Sequence, residues 1–219
     1  MSQLVEVERR ALGCTLCKLA AGRTTVVFGE GDPHARLMVV GEGPGRDEDL
    51  QGRPFVGRSG QLLDRLLLEE AGLQRSEVYI TNVVKCRPPQ NRDPLPEEIA
   101  ACRPYLESQI EIIDPVVILT LGNFASRTLL GTTEGITRLR GHIYPYPGRG
   151  SSRAVVVPTF HPAAALRGGG EVVARMRADI VRARQALEAA DSQPASHDPA
   201  GPQPASHDPA GRQPAVDRP

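Results

Sequence analysis

The sequence predicts an α/β fold of three layers, α/β/α, around a central four-stranded parallel sheet. Four short apolar runs recur at wide spacing, at 37–40, 78–84, 116–121 and 154–157. Turn signals bound each run, and segments of helical periodicity separate them, which is the pattern of strands joined by helical crossovers. The runs are continuously apolar rather than alternating, as strands covered on both faces require.

In chain order, SQLVEVERRAL at 2–12 brings Leu4, Val7 and Leu12 near helical spacing, and Gly13 ends that short helix. Cys14 and Cys17 follow in a loop. After the first strand, segment 60–71 is strongly amphipathic through Leu62, Leu63, Leu66 and Leu67. Segment 96–113 opens with Pro96-Glu97-Glu98 and carries Ile99, Leu106, Ile110 and Ile113. A short helix is expected over 124–130. A last one is expected over 172–190, with Val172, Val173, Met176, Ile180, Val181 and Leu187 as its stripe and arginines opposite. From 191 the composition changes. QPASHDPAGP at 193–202 returns as QPASHDPAGR at 203–212 and then degrades. Such a segment has too little apolar surface to offset its ordering entropy. The expectation is one domain over 1–190 and a disordered Pro/Ala/Ser/Gly-rich tail over 191–219, with His197 and His207 as products of repeat expansion.

The 219-residue chain holds 26 basic and 26 acidic side chains. Four Asp and two Arg fall in the last 29 residues, which leaves 24 basic and 22 acidic side chains before them. That balance excludes a strongly basic nucleic-acid coat, so any DNA contact must come from a local patch. There is no apolar stretch of membrane length and no signal-peptide pattern, so a cytoplasmic protein is expected. In that compartment four cysteines point to metal ligation rather than disulfides.

If the sheet is parallel, the carboxyl ends of its strands share one edge, where open α/β sheets bind ligands. The first strand runs into Gly41-Glu42-Gly43-Pro44-Gly45, with Phe55 shortly after, between Gly52 and Gly57. The second carries Asn82 near its end, and the fourth leads to His161-Pro162. Glu42, Phe55, Asn82 and His161 should therefore converge. A carboxamide can meet a pyrimidine edge with one donor and one acceptor. A phenyl ring offers a stacking face, and an imidazole can donate where negative charge builds up. Taken singly, a glycine-rich turn, a strand-end Asn and a capping His are ordinary; together they suit a nucleobase. The cysteines form a second set. Cys14-x2-Cys17 is completed by Cys86 and Cys102, which suits zinc or a [4Fe–4S] cluster. Zinc fingers show two tight pairs, and the 15-residue gap from Cys86 to Cys102 is nearer to a cluster tied across a loop.

GEGPG at 41–45, GRPFVG at 52–57, TNVVKCRPPQNR at 81–92, HPAAALR at 161–167 and the four cysteines together resemble the family 4 uracil-DNA glycosylases, the thermostable iron–sulfur type. The similarity runs from about residue 3 to 188 and omits the tail. HPAAALR departs from the more usual HPAYLLR by losing an aromatic. The resemblance implies a monofunctional glycosylase, monomeric, acting on uracil in single- or double-stranded DNA and leaving an abasic site for base excision repair. It implies a structural [4Fe–4S] cluster on Cys14, Cys17, Cys86 and Cys102, and a uracil pocket from Gly41, Glu42, Gly43, Phe55, Asn82 and His161. His161 would stabilise the leaving group and Glu42 would serve the water. Arg167, Pro162, Arg87 and Arg92 would meet DNA. The alternative is a non-catalytic iron–sulfur protein that binds DNA or senses redox state; it would keep the cysteines but need neither Asn82 nor His161.

Overall fold

The computed structural model describes residues 2–148 and 153–192. The repeat tail expected over 191–219 lies outside the described residues except for its first two, which complete the last helix.

Six strands form one sheet: β1 Glu30–Gly31, β2 Leu37–Gly41, β3 Tyr79–Asn82, β4 Val117–Leu121, β5 Tyr144–Pro145 and β6 Val155–Thr159, in the order β1-β3-β2-β4-β6-β5. The four central strands are parallel, as the sequence predicts. The two-residue strands β1 and β5 cap the edges in antiparallel pairing, an addition too short for any periodicity to announce. Every residue of β2, β3 and β4 is buried, which accounts for their continuous apolar character.

The helices are α1 Gln3–Leu12, α2 Arg46–Gln51, α3 Arg58–Leu66, α4 Pro96–Ile113, α5 Gly122–Leu130, α6 Ile136–Leu139 and α7 Pro162–Ser192. One π turn, Leu67–Ala71, prolongs α3. Strand alternation sorts the core into two layers. Met38, Val40, Ile118 and Val156 face α1, α4 and α5. Leu37, Val39, Leu119 and Val157 face α3 and α7. The result is the three-layer α/β/α arrangement.

Three helices exceed the sequence expectation, of which α6 is a single four-residue turn. The acidic stretch 46–51, with no periodic apolar residues, forms α2. The last helix, expected over 172–190, already begins at Pro162 and continues past a break at Gly169, whose φ of 71° only glycine adopts readily. Proline suits the first turn of a helix because its missing N–H would be unbonded there.

The chain goes from β2 to β3 on one side, then returns through α4 to β4 on the other. That reversal opens a crevice at the carboxyl ends of β2 and β4, where such sheets place ligands. Among the described residues no helix is long and apolar enough to cross a membrane.

Candidate active site

A cavity of about 440 Å³ opens at that crevice. Glu42, Gly43, Phe55, Asn82, His161 and Arg167 all line it, so the groups expected to converge do so. The sheet register explains how. Asn82 ends β3 level with Gly41 on β2. His161 lies two residues beyond Thr159, which pairs with Leu121 on β4. Gly41 does not face the cavity but lies under it. A β-carbon there would collide with Asn82 Oδ1 and the Phe55 ring, so the missing side chain is what lets the two pack together. Gly122, at φ 88°, likewise brings the start of α5 against His161.

Three groups in the cavity are chemically unusual. Asn82 is buried, and its Oδ1 accepts no hydrogen bond in the protein. Leaving a buried acceptor bare costs about 1–3 kcal/mol, which a ligand N–H would recover. His161 Nδ1 accepts the N–H of Ala163 at 3.1 Å, so the neutral ring carries its proton on Nε2. Burial, helped by the positive charge of Arg167, lowers the His161 pKa to about 4, so the ring stays neutral at physiological pH. Its ring lies 5.7 Å from that of Phe55, tilted by 33°. Glu42 behaves oppositely: burial, with the charge of Asp93, raises its pKa to about 7.

Phe55 sits at φ 51°, in the left-handed region that a bulky residue enters only when held there. Two residues that no sequence pattern singles out do the holding. Glu48, on α2, accepts the N–H groups of Val56 at 3.0 Å and Gly57 at 3.3 Å. Arg75 donates to the carbonyls of Pro54 and of Phe55, and pairs with Glu30 at 2.6 Å and Asp64 at 3.0 Å. The backbone turn is thus gripped from both sides. Arg75→Met should lower unfolding stability by about 1–3 kcal/mol, since it strands two carbonyls and the Asp64 carboxylate, while Glu30 keeps Arg53. An unchanged denaturation midpoint would show that the grip contributes nothing.

The residues expected to meet DNA divide. Arg167 is exposed at the cavity mouth, on the first turns of α7. Arg87 is half-buried, with Nε donating to Asn91 Oδ1 at 2.7 Å. Pro162 does not fit the expectation: it is buried as the first residue of α7 and offers DNA no surface. Arg92 lines the cavity with its side chain 37% exposed, while also serving the protein. Its two terminal nitrogens bond the buried carboxylate of Glu98 at 2.9 and 2.7 Å, which ties the cavity rim to the start of α4. Asn91 and Asp93 line the cavity as well. They lie in the quoted segment TNVVKCRPPQNR and just after it, but nothing in their spacing turns them inward.

Cys14, Cys17, Cys86 and Cys102 line a second cavity together. The loop after α1 supplies two, the loop leaving β3 one and α4 one. Cys86 Sγ accepts from Arg23 Nη1 at 3.4 Å, and Cys102 Sγ from the Lys85 N–H at 3.2 Å. Burial raises the Cys102 thiol to about 11, so only a bound cation would hold it as thiolate near neutral pH. Among the described residues no three Cys, His, Asp or Glu side chains are gathered for a single metal ion.

Comparison with known proteins agrees with this geometry. The family model of the uracil DNA glycosylase superfamily matches residues 28–188. The chain is 48% identical over 184 residues to a type-4 uracil-DNA glycosylase of Thermotoga maritima, covering 83% of this chain and 93% of that one. It is 47% identical over 170 residues to the type-4 enzyme of Sulfurisphaera tokodaii, covering 76% and 77%. A type-5 uracil-DNA glycosylase of Thermus thermophilus is more distant, at 36% over 140 residues, 56% of this chain and 64% of that one. With a family model across most of its length and type-4 relatives near half identity, the chain belongs to the uracil DNA glycosylase superfamily, in its type-4 branch.

Proposed function

We propose that the chain is a monofunctional uracil-DNA glycosylase that extrudes uracil from DNA, hydrolyses its N-glycosidic bond and leaves an abasic site for base excision repair. The bare Oδ1 of Asn82 carries this conclusion. It is an acceptor waiting for a donor, and uracil N3–H is such a donor. Cytosine has none at that position. The base must leave the stack to enter the cavity. There it would lie on Phe55, with Asn82 on N3–H and O4.

Bond cleavage puts positive charge on the sugar and the bonding pair on uracil. His161 Nε2–H donates to O2, and the bond strengthens as the uracil anion forms, so it favours the transition state over the bound substrate. Glu42, as carboxylate, holds the water and takes its proton while the oxygen bonds C1′. DNA phosphates beside the site stabilise the oxocarbenium ion. Arg167 and Arg87 hold the strand by its phosphates.

The pKa of Glu42 gives a test. kcat/KM should rise with pH up to about 7 and then level, and Glu42→Gln should be slow at every pH without that limb. Stability follows with the opposite sign. Because the folded pKa exceeds the ordinary value of 4.5, the native state binds the extra proton, and stability falls as pH rises from 4.5 to about 7. Glu42→Gln should therefore melt higher than the parent above pH 7. Equal melting temperatures there would mean that Glu42 is not under strain.

The donor set fits a [4Fe–4S] cluster. Four thiols share one cavity with two N–H donors on sulfur. A single zinc would gather thiolates at about 2.3 Å from one ion, whereas a cluster gives each cysteine its own iron. Bound there, the cluster supplies a rigid link between α1, the loop leaving β3 and α4. The same proposal makes residues 1–190 the working unit, a cytoplasmic monomer.

The direct test is to incubate the protein with a uracil oligonucleotide, without added metal, and then treat it with alkali. Breaks are expected for U opposite G, U opposite A and U in single strands, and none for T. An iron–sulfur protein that only bound DNA or sensed redox state would leave every strand intact. It would also have no use for the unpaired amide oxygen of Asn82.

A further inference from the structure

Lys85 is one of two lysines in the chain, and its side chain is fully buried. Nζ donates to Thr81 Oγ1 at 2.6 Å, to the main-chain carbonyl of Asn82 at 2.7 Å and to Gln109 Oε1 at 2.5 Å. Three acceptors match the three protons of an ammonium. The Phe28 ring covers it, 5.9 Å away. Gln109 is itself fixed, with Nε2 donating to the Phe28 carbonyl at 2.8 Å and to Tyr79 Oη at 3.1 Å. None of the three acceptors is a carboxylate. Burying such a charge is costly, and apolar residues of similar volume commonly serve stability as well or better. The stability of the core therefore does not account for it.

Its position does. The carbonyl it holds belongs to Asn82, at the last peptide of β3 before the strand turns toward Cys86. Its own N–H bonds Cys102 Sγ, and it lines the cysteine cavity. We propose that Lys85 is a positioning residue for base recognition: its ammonium, anchored by Gln109 and Thr81, fixes the Asn82 peptide and so the direction of the amide edge, and it joins that edge to the cysteine cavity. This rests on the uracil pocket proposed above.

The test uses the full-length protein as purified, with free uracil as the probe and its inhibition constant as the readout. Lys85→Met should raise that constant about tenfold or more. Affinity for an abasic-site duplex and visible absorbance per protein should stay within about twofold of the parent. The melting temperature should fall somewhat, because three buried acceptors lose their donor, so the inhibition constant of the folded variant, set against its abasic-site affinity, separates positioning from mere support of the fold. A parental inhibition constant in folded Lys85→Met overturns the proposal. If that variant loses colour or fails to fold, Gln109→Leu decides, because residue 109 lies two turns beyond Cys102 on α4, does not line the cysteine cavity and still loosens the ammonium. A rise of about threefold with colour retained supports the proposal, and a parental value overturns it. A parent that neither cuts uracil DNA nor is inhibited by uracil would refute the pocket itself, which is a different failure.

Discussion

Replacing His161 by alanine should slow uracil release about 10²–10³-fold in kcat, the usual cost of losing one donor aimed at a developing anion. Binding to uracil DNA should change little, because the donor matters most after the bond has begun to break. The geometry makes the prediction specific. Nδ1 is occupied by the Ala163 N–H, so only Nε2–H is free to donate. Burial keeps the pKa at about 4, so the ring is a neutral donor throughout the working range and the loss should be the same from pH 5 to 9. A loss confined to low pH would indicate an imidazolium instead. Stability carries an independent sign. The folded pKa lies below the ordinary 6.5, so the unfolded chain takes up the proton first. The parent therefore loses stability as pH falls from 6.5 to about 4, and the alanine variant should lose less. Single-turnover rates on a uracil oligonucleotide would check the first effect. A His161→Ala enzyme as fast as the parent would remove the leaving-group role.

How far these features could be read in advance depended on the kind of signal each carries. The parallel strands announced themselves because burial on both faces forces continuous apolar runs, and β2, with five buried residues, is the plainest. Phe55, Asn82 and His161 were readable because each follows or ends such a run. Glu48 and Arg75 were not. They grip the Phe55 turn from 7 residues before and 20 after, through backbone hydrogen bonds that leave no pattern in side-chain type. Lys85 was concealed by its chemistry, since a lysine after a strand ordinarily marks the surface. The α7 start was hidden by Gly168-Gly169-Gly170, which suggests a loop although only Gly169 leaves helical geometry. Pro162 and Arg92 show the converse. Their types suit DNA contact, but one opens a buried helix turn, and the other, though it reaches the cavity, also neutralises buried Glu98.

The second large effect belongs to Asn82. Asn82→Asp should lower kcat/KM on uracil DNA by about 10²–10³-fold and erode the preference for uracil over cytosine by still more, because sites built on paired hydrogen bonds owe most of their discrimination to the pairing. The amide offers one acceptor and one donor, which match uracil N3–H and O4. The introduced carboxylate offers acceptors only. Uracil O4 then faces an oxygen, while the cytosine amino group gains a partner. The same position also sets the pH dependence. Asn82 is buried, so a carboxyl there should have a raised pKa, and its protonated form restores a donor for O4. The deficit of Asn82→Asp relative to the parent at the same pH should therefore shrink as pH falls, although both enzymes share the Glu42 limb. Comparing U and C oligonucleotides across pH separates the two effects. If the variant keeps parental selectivity, the bare Oδ1 is not where uracil is read, and the base must be recognised by other groups lining the cavity.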